Sequence, residues 1–178
     1  MNKAIRDLVI AERGEQQWDT IASAAGSDPD FIGMQTYDDA VTYALVGKAS
    51  EILEVPAAEL LRLFGRYWIR YTADEGYGSL LQLFGATMEE FLDNLGNDLH
   101  ARVALTMPEL RPPEFRTERL AADRWQVHYL SERPGLAPMV LGLLEGLAQR
   151  FDREVEVQHL ETVADSKHHE LYEVRIVV

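Results

Sequence analysis

Two groups of residues in this chain are suited to chemistry: its five histidines and a single Tyr-x-Ser-x-Arg run. His100 differs from His128, His159, His168 and His169 in its neighbours. At helical spacing it shares a face with Gly96, Val103, Ala104 and Met107. An imidazole on so apolar a face must bond a neighbour or hold a ligand. On spacing alone a satisfied core histidine is the commoner outcome, and a metal ligand is the alternative. A histidine that ligates haem iron needs an apolar wall and small neighbours that admit a flat ring, and Gly96 and Ala104 meet that need. His168 and His169 lie in the polar stretch ADSKHHE, which reads as a solvated turn. Adjacent residues of a strand point to opposite faces, so this pair is badly placed to chelate one metal ion. His128 and His159 fall on strand-patterned segments, where packing or surface roles are the plain reading.

Tyr129, Ser131 and Arg133 sit at i, i+2 and i+4 near the end of a strand pattern, which puts them on one face. Two hydroxyls and a guanidinium make a site for carboxylates, with the arginine able to bind one bidentately. Haem carries two such groups, its propionates. An isolated match of this kind is more often a polar strand end with an exposed arginine.

The elements that must position these residues change character along the chain. Ile5, Leu8, Val9 and Glu12 predict a first helix ended by Gly14, and Trp18, Ile21 and Ala25 a second closed by Gly26 and Pro29. Asp38 and Asp39 mark the start of a third, with Val41, Leu45, Ala49, Ile52 and Leu53 as its apolar stripe. Pro56 suits the first position of a fourth, whose inner face carries Leu60, Leu61, Phe64, Trp68 and Tyr71. Thr87 with Glu90 is a capping box, and Gly96 interrupts the helix that follows before it resumes through His100 to Met107. After Arg111-Pro112-Pro113 the period becomes two. Trp125, Val127 and Tyr129, then Val155, Val157 and His159, then Leu171, Glu173 and Arg175 have strand spacing. Between them Ala137 to Phe151 is an apolar helix in which Gly142 and Gly146 allow close approach of another backbone or a flat partner. The expectation is an α+β protein, helices first and then β-β-α-β-β.

Bulk properties bound the function. A chain of 178 residues, 47% hydrophobic and 26% charged, builds one domain or a tightly packed pair of subdomains. Its net charge of −13 repels phosphate backbones, which argues against nucleic acid as a partner and says nothing against neutral gases. With no cysteine there is no disulfide framework, thiolate-ligated haem or cysteine zinc site. No apolar run approaches the roughly 20 residues of a membrane span, and the start reads as an amphipathic helix, not a signal peptide, so a cytoplasmic protein is expected. Nucleophile elbow, P-loop and dinucleotide fingerprint are all missing, so an enzyme is not expected.

Taken together the motifs resemble the H-NOX family, the haem–nitric oxide/oxygen binding domain also found as the sensor of soluble guanylate cyclase. NDLHARVALTMPELRPPEF is similar to the segment with the family's proximal histidine, and HYLSERPGLAPMVLGLLEGL to its propionate-binding segment. LLRLFGRYWIRYTADEGYGSLL looks like the cyanobacterial-type members. The resemblance runs over nearly the whole chain. It implies a single domain over residues 1–178, a helical distal part over about 1–60 and the proximal helices with the β-β-α-β-β part over about 61–178. A four-stranded antiparallel sheet is implied, with haem b buried between the two parts. It further implies His100 as the iron ligand and Tyr129, Ser131 and Arg133 on the propionates, with Pro113 and Leu99 packed on the porphyrin. Asp39 resembles an acid that pairs with the motif arginine in some members.

The distal pocket implied by the resemblance is Trp68, Met139, Leu143 and Ile5. Oxygen-binding members carry a distal tyrosine where this chain has Met139, and neither Met139 nor Ile5 can donate a hydrogen bond. Trp68 offers the one candidate donor. The resemblance therefore implies a sensor of NO that also binds CO and excludes O2, with NO weakening the iron–His100 bond. The signal would pass to a separate effector: a histidine kinase, a cyclic-di-nucleotide enzyme or a guanylate cyclase. The alternative is a haem-free relative that only mediates protein contacts.

Overall fold

The computed structural model describes residues 1–32, 35–72, 84–96, 113–164 and 168–177. The helices begin and end where local chemistry stops them. Helix α1 (Asn2–Arg13) ends at Gly14, whose φ of 85° lies in the region that glycine tolerates. Helix α2 (Glu15–Ala24) follows at once. Helix α3 (Asp39–Leu53) is capped by the Asp38 carboxylate, which accepts the Ala40 amide at 2.8 Å. Helix α4 (Ala57–Thr72) begins just after Pro56. In helix α5 (Met88–Asn94) the Thr87 hydroxyl accepts the Glu90 amide at 3.2 Å. The Glu90 carboxylate reaches back past the cap to the Ala86 amide at 2.8 Å, which completes a variant of the capping box.

Strands β1 (Glu114–Ala121) and β2 (Arg124–Ser131) form a hairpin, helix α6 (Ala137–Arg150) crosses over, and β3 (Val155–Ala164) and β4 (His168–Ile176) complete the sheet. The sheet is antiparallel with order β1-β2-β4-β3, so β2 and β4 are its central strands. The expected α+β architecture, helices and then β-β-α-β-β, is present. One detail is corrected: His168 and His169 are not a solvated turn but the first residues of β4, paired with Ser131 and Leu130. Their polar neighbours concealed a strand whose apolar residues begin only at Leu171.

Among the described residues two hydrophobic clusters result. One gathers Ile5, Trp18, Ile21, Leu45 and Phe64 from the helical half. The other packs Met88 and Leu92 with the sheet residues Trp125, Val127, Tyr172 and Val174. Helix α6 belongs to both, with Met139 in the first and Val140, Leu144 and Leu147 in the second. It can lie against α4 because glycines face the contact. A Cβ on Gly142 would fall on the Arg62 carbonyl, and one on Gly146 would stand 2.9 Å from the Arg66 carbonyl oxygen. Glu145 sits between them and accepts from both Arg62 and Arg66, the latter at 2.7 Å.

Candidate functional site

Strand β2 ends at the boundary of the two clusters, and its last residues carry the Tyr-x-Ser-x-Arg run. Tyr129 and Ser131 are each only 5% exposed. Burial raises the Tyr129 phenol above its usual range, opposed by the Ser131 hydroxyl and the Arg133 charge, so the phenol stays a neutral donor. Arg133 lies beyond the strand end, in the turn. Its amide donates to the Ser131 hydroxyl at 3.0 Å. Its guanidinium grips the Asp39 carboxylate at two points, 3.0 and 2.9 Å. Asp39 is the first residue of α3, and one turn on Tyr43 donates to the Pro134 carbonyl at 2.9 Å. The first turns of α3 therefore hold the end of β2.

The Asp39–Arg133 pairing is the one that the family pattern implied. Its side chains keep 45% and 35% of their exposure, so solvent screens most of the attraction. Asp39→Asn is accordingly expected to cost no more than about 1 kcal/mol in urea unfolding. A loss of several kcal/mol would mean that this contact carries far more of the fold than its exposure allows.

Against the pair lies an apolar cavity of about 30 Å³, walled by Met1, Ile5, Val46, Leu61, Phe64 and Leu136, with Arg133 and Asp39 on its charged side. That volume holds a diatomic molecule or about two waters. Thr42 and Tyr43 also line it, and sequence reasoning missed both. The signal was available: Asp39, Thr42, Tyr43 and Val46 recur at the spacing of one helix face.

The implied site residues are only partly brought together. Ile5 and Arg133 line the cavity. Met139 is buried in the same helical cluster, and Leu143 packs against both clusters, but neither reaches the cavity wall. Trp68 is half-buried, stacked on Tyr71 at 5.9 Å and tilted against Phe64 at 5.7 Å, and does not line the cavity. Pro113 is half-buried, one residue ahead of β1. His100 and Leu99 lie outside the described residues.

Comparison with known proteins bears on what this arrangement serves. A family model described as Haem-NO-binding matches residues 1–159. The soluble guanylate cyclase gcy-32 of Caenorhabditis elegans is 31% identical over 87% of this chain, which covers 23% of that relative. The guanylate cyclase soluble subunit beta-2 of Rattus norvegicus is 36% identical over 57% of this chain and 15% of its own length. The chain thus spans about a quarter or less of these relatives. Among solved structures, a mutant of the T. tengcongensis H-NOX superposes with a TM-score of 0.87 at 19% identity, covering 99% of this chain and 96% of that one. An S. oneidensis H-NOX in the Fe(II)NO ligation state gives 0.86 at 17%, over 99% and 97% of the two chains.

Proposed function

The chain belongs to the Haem-NO-binding family, with the fold of H-NOX domains, and from that membership we propose that it is a haem-based sensor of NO and CO that excludes O2. The observation that carries this reading is that Arg133, tied through its amide to Ser131 just after the buried Tyr129, lines an otherwise apolar cavity together with Asp39. The donor set suits haem b. Two hydroxyls and a guanidinium match its propionates, and the aliphatic and aromatic wall matches its ring. The cavity itself is far smaller than a porphyrin, so haem would enter by parting the two clusters.

In this reading His100 ligates the iron, Tyr129 and Ser131 donate to the propionates, and Arg133 exchanges part of its hold on Asp39 for a propionate. Pro113 and Leu99 pack on the ring. Ferrous haem held by one imidazole supplies an open iron position for a gas. Ile5, Met139 and Leu143 offer that position no N–H or O–H, and the ring of Trp68, the one candidate donor, packs on Phe64 and Tyr71 and does not line the cavity. Bound O2 draws charge onto its outer oxygen and needs such a donor, whereas NO and CO need it far less. Signal output passes to an effector, for which a cyclase, a histidine kinase or a cyclic-di-nucleotide enzyme are the candidate classes. No helix among the described residues is long and apolar enough to cross a membrane.

Two spectra test the reading. The protein purified with haem is expected to show a Soret band, and its absence after reconstitution would favour the haem-free alternative. Reduced and then exposed to air, it is expected to oxidise or stay five-coordinate while still taking up NO and CO. A stable oxy spectrum would overturn the exclusion of O2.

A further inference from the structure

On the face of the sheet opposite Tyr129 and Trp125, strand register brings together two histidines that are 41 positions apart in the chain. His128 pairs with Leu171 and His169 with Leu130, so the imidazoles lie on a diagonal of the β2–β4 ladder. Their rings stand 5.1 Å apart, and His128 Nδ1 is 2.9 Å from His169 Nε2. The two flanking leucines are buried, and both histidines are half-buried. We propose that His128 and His169 form a cross-strand binding site for a divalent transition-metal ion of the zinc, nickel or copper class.

The geometry is near that of a chelate. Imidazole nitrogens lie about 2.0–2.1 Å from zinc, so a tetrahedral ion needs its two nitrogens about 3.3 Å apart. Opening the present contact by a few tenths of an ångström, well within side-chain adjustment, admits the ion. The proton of the N–H···N bond then moves to the remote nitrogen of the same ring, and each facing nitrogen gives its lone pair to the metal. Imidazole is a ligand that this class of ion prefers, and it must be neutral to bind. Burial, then His169, then Arg116 lower the His128 pKa, against a smaller opposing effect of Glu118, which keeps the ring in its ligating form at neutral pH. Among the described residues no third histidine or carboxylate joins the pair, so water completes the shell.

The test is calorimetric titration of the purified protein, with whatever haem it carries, with Zn²⁺ at neutral pH, on the wild type and on His128→Gln, His169→Gln and His168→Gln. The wild type is expected to bind Zn²⁺ at this pair. Either of the first two substitutions is expected to weaken that binding at least tenfold, with the strand circular dichroism unchanged. His168→Gln leaves it intact, because that side chain points to the other face. Wild-type protein that takes up no Zn²⁺ below millimolar concentration would overturn the proposal, as would variants that bind within twofold of the wild type. The Soret band reports haem binding separately, so this result is independent of the sensor reading.

Discussion

Gly142→Val is expected to destabilise the protein by about 3 kcal/mol or more. The Cβ that valine adds would fall on the Arg62 carbonyl oxygen, with the Arg62 carbonyl carbon at 2.8 Å and its Cα at 3.1 Å. These are backbone atoms of a regular helix and cannot swing aside as a side chain can. Gly65 presents the reciprocal face, its Cβ position 2.8 Å from the Leu143 amide nitrogen. Valine at 142 must therefore push α4 and α6 apart over their whole crossing. The cost is lost packing for Leu61 and Leu143, which join the two clusters, and a displaced Met139 at the proposed distal pocket. The comparison that isolates the cause is Gly47→Ala in α3, where nothing lies within 4 Å of an added Cβ. There the gain in helix propensity is expected to stabilise by up to about 1 kcal/mol. Urea unfolding midpoints for the two variants should move in opposite directions. A Gly142→Val midpoint equal to that of the wild type would refute the close crossing.

That crossing shows what kinds of information the chain displays locally. Gly142 and Gly146, four apart on an apolar helix, announced a close approach, yet nothing near them named α4 as the partner. Helix ends were readable because caps act over a few residues: Gly14, Asp38 and Thr87 stand where the sequence suggests. Strand identity was readable through alternation in β2, β3 and the later part of β4; it named no residues of the mostly exposed β1, and it failed at His168 and His169, where polar residues open β4. Register was not readable at all, since it depends on turn geometry and on which faces are buried. The His128–His169 contact was for that reason invisible, and so was buried Glu170, which accepts from His159 at 2.8 Å and Thr162 at 2.6 Å. At the candidate site, Tyr129, Ser131 and Arg133 stood out through their spacing. Their partner Asp39, 94 positions from Arg133, came only through family resemblance. Long-range partners are chosen by the whole packed structure, and a local pattern does not encode them.

Replacing His100 with glycine is expected to have the largest functional effect: haem is lost on purification and is retained when imidazole is supplied. In the proposed function, contacts of unequal strength and specificity would hold the haem. Arg133 is part-exposed and already shared with Asp39, so its hold on a propionate is screened and competes with an existing pair. Tyr129 and Ser131 would add neutral hydrogen bonds to the propionates, each worth roughly 0.5–1.5 kcal/mol net. Ile5, Val46, Leu61 and Phe64 give apolar contact that any flat hydrophobe would receive. In the proposed function the His100 nitrogen would be the one contact specific to iron, and free imidazole would restore it in the glycine variant. Arg133→Ala should accordingly weaken haem retention while leaving a Soret band, whereas His100→Gly should remove it unless imidazole is present. The absorbance ratio of Soret band to protein, measured with and without imidazole in the purification buffer, checks both. Equal haem content in His100→Gly without imidazole would move the iron ligand to another histidine. His159 would then be the first to examine, because it lies on the same face of the sheet as Tyr172 and Tyr129, its ring tilted against that of Tyr172 at 5.1 Å.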